Sequence, residues 1–399
     1  MKAWDWIKAN SVHLSCLLLF MSVLSVPVLY QMTDPRSTSD MPLHMEILRS
    51  FLARGEFPIY SIYYFLVWAA SFFSVDDPER LRLSSLIILF AAKALAAVLV
   101  YAFCERQLRD VERPAGSQSP ALLFSMALMV MMPIADPTDL SRIYRLHISP
   151  NVWHNSTSSL AMPFVVLAFG LAADFLKGGR RSQAVRLGIA LFIATLCKPS
   201  FTFVFAPVFI VFYFVLHLFG SEREQDRGSR SAGVIINTLI IFLPAALVLA
   251  MQFLEANPRF LSGETRETEW LFAPFAVWSY HTPGIPLSLV RSLLLPALIL
   301  FLLFPAVRQS LRFKLALGVF AVALLPVILL AERSGPHLNM SGNFFWGAHM
   351  ALFVLMMESL ILLAGQNRLK FKPLFTGVIA LYVVSGLIYV SRLAVGLPF

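Results

Sequence analysis

Residues 12–31, VHLSCLLLFMSVLSVPVLYQ, contain no acid, lysine or arginine. At 1.5 Å per residue, a helix of that length spans about 30 Å, the hydrocarbon thickness of a bilayer. A signal peptide can look similar. No small-residue cleavage site follows, however, and many further apolar runs do, so the stretch reads as a retained first transmembrane helix.

The composition supports that reading over the whole chain. It is 58% hydrophobic and 14% charged, with a mean hydropathy of +0.73. A soluble domain carries about 25% charged residues. Apolar segments fall near 12–31, 57–75, 83–103, 119–134, 157–175, 186–197, 199–219, 232–254, 286–306, 315–331, 344–364 and 373–395. The expected fold is a single all-α polytopic membrane domain over residues 1–399, with about 11–12 hydrophobic segments and no soluble domain. Cys16, Cys104 and Cys197 sit in or beside apolar runs and read as small core residues; no disulfide framework or metal motif is implied.

The net charge of +9 is explained by topology rather than by nucleic acid. Its lysines and arginines cluster in short loops, which on the positive-inside rule are cytoplasmic. The clusters are Lys2 and Lys8; Arg106, Arg109 and Arg113; Lys177, Arg180, Arg181 and Arg186; Arg223, Arg227 and Arg230; Arg308, Arg312 and Lys314; and Arg368, Lys370 and Lys372. All can share one side only if one early segment fails to cross. The Pro-led, tyrosine-rich 57–75 is the first candidate and 119–134 the second. About eleven crossings then remain, with the N-terminus inside. The long loops 32–82, 135–156, 255–285 and 332–343 share the outer face, and they hold the unusual polar residues. Function is expected there.

In residues 38–54, Met41, Met45, Leu48 and Leu52 recur at helical spacing opposite Glu46, Arg49 and Arg54, the pattern of an amphipathic helix lying at the interface. Asp40 heads it, either as a cap for free N–H groups or as a base or metal ligand at the membrane surface. His44 shares its face four residues on, while Glu46 reads as a solvated-face residue. Residues 142–164, RIYRLHISPNVWHNSTSSLAMPF, gather Arg142, Arg145, His147, Asn151, Trp153, His154 and Asn155. Two arginines suit a phosphate, and Trp153 and His154 suit a sugar or headgroup. The alternative is a tryptophan anchor with Asn155 or Ser156 as a helix cap.

Lys198, in CKPSF (197–201), stands at a Pro199-enforced break, as a phosphate partner or merely a snorkelling lysine. Glu264, Arg266, Glu267, Glu269 and His281 in the third outer loop are acceptor-binding candidates or, more simply for any one of them, solvated loop charges; the fourth offers Arg333, His337, Asn343, Trp346 and His349 near a helix start. Lys93 and Glu358 are charges at membrane depth and so mark a pairing or a function. No GxGxxG, P-loop, HExxH or GxSxG context is present, and the short inner loops are poor material for a nucleotide-sugar site.

A first helix, an outer loop with an aspartate, an interfacial helix, a Pro/Tyr segment and then ERLRLSSLIILFAAKALAAVLVYAFCERQLRD (79–110) follow one another in this order. The order resembles the N-terminal part of GT-C superfamily glycosyltransferases, which include protein O-mannosyltransferases and lipid A aminoarabinose transferases. SPNVWHN and CKPSF resemble elements of bacterial GT-C-like proteins. The resemblance covers about the first quarter of the chain. There Asp40 matches the catalytic acid, and Arg80 or Arg82 the leading arginine of the following helix. Those families usually pair two acids, whereas Met41 follows Asp40 here, so His44 or Glu46 would have to supply the second group.

The resemblance implies transfer of a sugar from a polyprenyl-phosphate donor to a glycan, lipid or protein acceptor, at the outer face of a bacterial plasma membrane. Asp40 would be the base or the ligand of a divalent metal, and His44 would orient it or touch substrate. Arg80, Arg142, Arg145, Trp153, His154, Asn155, Lys198, His281 and His337 are the substrate-binding set. The alternatives are a transporter or flippase of a lipid-linked or anionic substrate, supported by Lys93 and Glu358, and a polysaccharide polymerase or ligase.

Overall fold

Each apolar run folds as helix, because a backbone that enters hydrocarbon must satisfy its own N–H and C=O groups. The computed structural model describes residues 3–109, 120–144, 147–219, 227–256, 268–282, 284–334, 337–340, 342–366 and 371–397. The helices are α1 (Ala3–Ala9), α2 (Ser11–Met32), α3 (Asp40–Ala53), α4 (Ile62–Ala70), α5 (Pro78–Leu108), α6 (Ala121–Val130), α7 (Ser156–Gly178) and α8 (Arg181–Cys197). They continue as α9 (Ser200–Phe219), α10 (Arg227–Ala256), α11 (Ala276–His281), α12 (Ile285–Leu302), α13 (Phe304–Gln309), α14 (Leu311–Leu329), α15 (Phe345–Ala364) and α16 (Lys372–Ala394).

Among the described residues, eight helices are long and apolar enough to cross a membrane: α2, α5, α7, α10, α12, α14, α15 and α16. The chain is a multi-pass, all-helical membrane protein. The first candidate for not crossing, 57–75, and the alternative, 119–134, both fold as short helices. Segment 57–75 gives only the nine residues of α4, and 119–134 gives only the ten of α6, about 14 and 15 Å of helix. Cys104 and Cys197 are buried as expected; Cys16 is not, and lies on the exposed surface of α2.

The hydrogen bonds and ion pairs define two ends of the bundle. At one, Asn10 and His13 meet Tyr101, Arg106 meets Asp174, and Arg312 meets Glu358. At the other, the loops after α2, α6, α8 and α10 touch one another: the Asp40 amide donates to the His154 carbonyl, and Gln252 donates to the carbonyls of Tyr60 and Thr195. That second end also carries a three-stranded antiparallel sheet the sequence did not suggest, with β1 (Thr268–Phe272), β2 (Leu330–Ser334) and β3 (His337–Asn339) in the order β1-β2-β3. Its Glu269 pairs with Arg333 across the strands.

The chain between α6 and α7 does not run over the surface as most connections do. Almost every described residue from 147 to 161 is buried. Asn151 satisfies that backbone by donating from Nδ2 to the carbonyls of Leu128 and Met131 at 2.7 and 2.9 Å. Met132 donates its N–H to the Tyr382 carbonyl at 3.2 Å, and Ala135 donates to the Ser385 hydroxyl at 2.9 Å. This contact of segment and helix backbone needs Gly386, because a Cβ there would overlap the Val130 carbonyl oxygen. Gly386→Ala is therefore expected to destabilise the protein by about 2–3 kcal/mol or more, as overpacking against unyielding atoms does, and a thermal-unfolding scan in detergent checks it.

Candidate functional site

Asp40 is the first residue of α3, but it does not cap the helix. Ser39 does: its hydroxyl accepts the Met41 N–H at 3.1 Å. The capping reading of Asp40 is thereby corrected, and its carboxylate is left for another partner. That partner is Asn155, whose Nδ2 donates to Asp40 Oδ2 at 2.8 Å.

Asn155 cannot be turned around. As the N-cap of α7 it accepts the Ser158 N–H on Oδ1 at 2.9 Å, and a backbone N–H can only donate. Its Nδ2 must therefore face Asp40. The same Oδ1 accepts from Lys198 Nζ at 3.1 Å, and Nζ also donates to the Thr157 hydroxyl at 3.1 Å. Lys198 thus points into the bundle, with Nζ 4.4 Å from the Trp346 ring centroid, which corrects the snorkelling reading. Burial pulls its ammonium down from 10.5 to about 7, and the Asp40 carboxylate opposes that fall.

Asp40 opens on a cavity of about 200 Å³, also lined by Tyr144, His147, His154, His281, Trp346 and His349 among others. Each ring is held. His147 Nδ1 lies 3.1 Å from the Ser288 hydroxyl, and His281 Nε2 lies 2.7 Å from the Met340 carbonyl. His349 bridges the Tyr144 hydroxyl at 3.1 Å and the Ser149 amide at 2.9 Å. Burial lowers His147 to about 4, so it is neutral at pH 7.

His44 stands beside this group but turns away from Asp40. Its Nδ1 lies 2.6 Å from the Tyr64 hydroxyl, which in turn bonds to Tyr60. Burial, and then the charge of Lys198, lowers it to about 4. A neutral imidazole held by a phenol is a weak base, and it is Asn155 that orients Asp40. Among the described residues no group of three His, Cys, Asp or Glu side chains could hold a metal ion. Among those residues the Asp40–His44 pair gains no third donor.

Of the other expected residues, His154, Asn155, Lys198 and His281 gather here, and three do not. Arg80 stays near Asp77 at the start of α5, outside the cavity lining. Its neighbour Arg82 is buried against Asp34 and the Tyr30 ring. Trp153 is fully buried behind the cavity, where Lys93 Nζ lies 4.0 Å from its ring centroid and donates to the Val152 carbonyl at 3.0 Å. It offers no face to a sugar. Lys93 and Glu358 do not meet: one backs the 147–155 segment, and the other pairs with Arg312 at the far end. They do not form the converging mid-membrane charges that the transporter reading asks for.

Arg145, Glu264, Arg266 and Glu267 lie outside the described residues, as do the side chains of Arg142 and His337. Trp346 and His349, two of the fourth-loop candidates, also line the cavity, and Tyr144 is a cavity residue that the sequence reading did not single out.

The fold and the site define the class as a multi-pass helical membrane protein with a polar cavity at one end of its bundle. No protein-family model matches the chain, and no curated protein is similar to it.

Proposed function

We propose that the chain is a membrane glycosyltransferase, moving a sugar from a polyprenyl-phosphate-linked donor to an acceptor hydroxyl at the non-cytoplasmic face of a bacterial plasma membrane. The observation that carries this reading is the Asp40–Asn155–Lys198 arrangement at the cavity. A carboxylate that lines the cavity is joined through a single amide to an ammonium behind it, which reaches the ring of Trp346, another lining residue. The partners are membrane lipid, the lipid-linked donor and a glycan, lipid or protein acceptor. The sidedness is supported by the described basic residues Arg106, Lys177, Arg180 and Arg181, which end or begin helices at the opposite end of the bundle.

In the proposed reaction Asp40 takes the proton of the acceptor hydroxyl as that oxygen attacks the anomeric carbon. The bond from that carbon to the phosphate oxygen breaks, and polyprenyl phosphate leaves with the electron pair. Lys198 meets the charge of the departing phosphate, a role for which a compact ammonium is suited. Asn155 holds both charges in place, and half-buried Phe345 and Trp346 give the sugar an apolar wall. The test is turnover of a polyprenyl-phosphate-linked sugar by the purified protein and by Asp40→Asn, argued in the Discussion.

Lys198 gives this reading a pH signature. Its ammonium is lost as pH rises through about 7, so donor binding should weaken from neutral pH upward. Lys198→Arg keeps its charge at any accessible pH and should remove that alkaline limb, whatever it does to the maximal rate. Identical pH profiles for the two proteins would sink the role of Lys198.

A further inference from the structure

At the other end of the bundle, away from Asp40, α5 and α7 leave an apolar groove of about 190 Å³ between them. Both helices are of membrane-crossing length, so the groove faces hydrocarbon. Leu99 and Phe103 form one wall, and Val166, Leu167 and Leu171 the other. Along either helix the lining covers about 10–12 Å, enough for part of one extended acyl chain. Gly170 keeps it open: a Cβ there would stand 2.7 Å from Phe103 Cε2, and the ring would have to swing into the groove.

The groove ends in charge. Arg106 Nη2 lies 2.7 Å from Asp174 Oδ2, and both side chains remain partly exposed. Three residues beyond each, and so on the same helix faces, Arg109 and Lys177 are exposed to solvent. Three cations stand against Asp174 and Glu105, the latter one turn before Arg109 on α5, so the described charges at the groove mouth are net positive. Asp174 occupies one nitrogen of the Arg106 fork and fixes its direction, leaving further N–H donors for an anion.

We infer that this groove is a binding site for one anionic phospholipid, its acyl chain between α5 and α7 and its phosphate on Arg106, Arg109 and Lys177. Basic pockets between membrane helices suit such headgroups. A zwitterionic lipid brings its own ammonium, which the surplus cations repel. The inference is independent of the Asp40 site and holds whether or not that site transfers a sugar.

Native mass spectrometry of the full chain, released from detergent mixed with dioleoylphosphatidylglycerol or dioleoylphosphatidylcholine, tests it. The phosphatidylglycerol adduct should be retained on the order of tenfold or more in preference, since each cation near an anionic lipid contributes about fivefold. The double variant Arg106→Gln/Lys177→Gln should lose the preference, and Arg106→Lys should keep most of it. Leu167→Trp, which fills the groove from an accessible position, should weaken retention of both lipids while leaving the charges intact. Equal retention of the two lipids by the unaltered protein overturns the inference. So does a preference that survives the double variant, or displacement of the lipid by inorganic phosphate irrespective of its acyl chain. If the double variant unfolds, Leu167→Trp against the unaltered protein still decides.

Discussion

Asp40→Asn is expected to lower turnover of a polyprenyl-phosphate-linked sugar by about 10²–10⁴-fold, the contribution of a positioned general base. The substitution removes only the charge and the basicity. The new amide still offers an oxygen to Asn155 Nδ2 in place of the carboxylate, and the Ser39 cap is untouched. Asp40 is partly exposed, so the change in stability should stay under about 1 kcal/mol. Purified protein reconstituted with a lipid-linked donor, assayed beside a thermal-unfolding scan, separates the two effects. Turnover that persists in an unfolding-prone variant would make Asp40 a structural residue and sink the proposed chemistry. The expectation is strict because of the neighbours. His44 is neutral and turned to Tyr64, and Glu46 is exposed beside Arg49, so neither replaces the lost carboxylate.

The second large effect concerns the opposite end of the bundle. Arg312 donates from Nε and Nη2 to the two carboxylate oxygens of Glu358, at 3.2 and 2.7 Å. The side chains are 8% and 2% exposed, and the guanidinium also lies 4.1 Å from the Phe103 ring centroid. Arg312→Met leaves a buried carboxylate without its partner and should cost about 3–5 kcal/mol, as breaking one side of a buried pair does. Replacing both residues, as Arg312→Met/Glu358→Leu, removes the orphan charge and should recover most of that loss. A double-mutant cycle on thermal unfolding measures the difference. Equal losses in the single and double variants would show that the pair contributes through shape alone.

The apolar spans were legible from residues 12–31 onward because hydrocarbon leaves the backbone little choice but helix, so length and composition suffice. The helices α4 and α6, which fold short, fall in the two segments that were singled out, 57–75 and 119–134. The pattern that forms α3, with Met41, Met45 and Leu48 buried, is likewise periodic and local. Asp40 could be singled out because it stands unexplained at the head of that pattern.

What the sequence could not supply is who meets whom. Asp40 and Asn155 are 115 residues apart, and Asn155 and Lys198 a further 43. Two separate chain breaks, before α7 and after α8, must be packed together before the amide can join the charges. Trp153 and His154 are adjacent in sequence, yet one is sealed behind the cavity by Lys93 and the other lines it; in a buried, irregular segment no period tells which side chain faces the opening. Ser39 and Asp40 are both good capping residues, and only the path of the chain into α3 gives the cap to Ser39 and frees the carboxylate. Composition and periodicity determined a multi-pass helical membrane protein with a polar loop near its first helix. The site was decided by tertiary packing, because hydrogen bonds between distant residues depend on positions that no local pattern encodes.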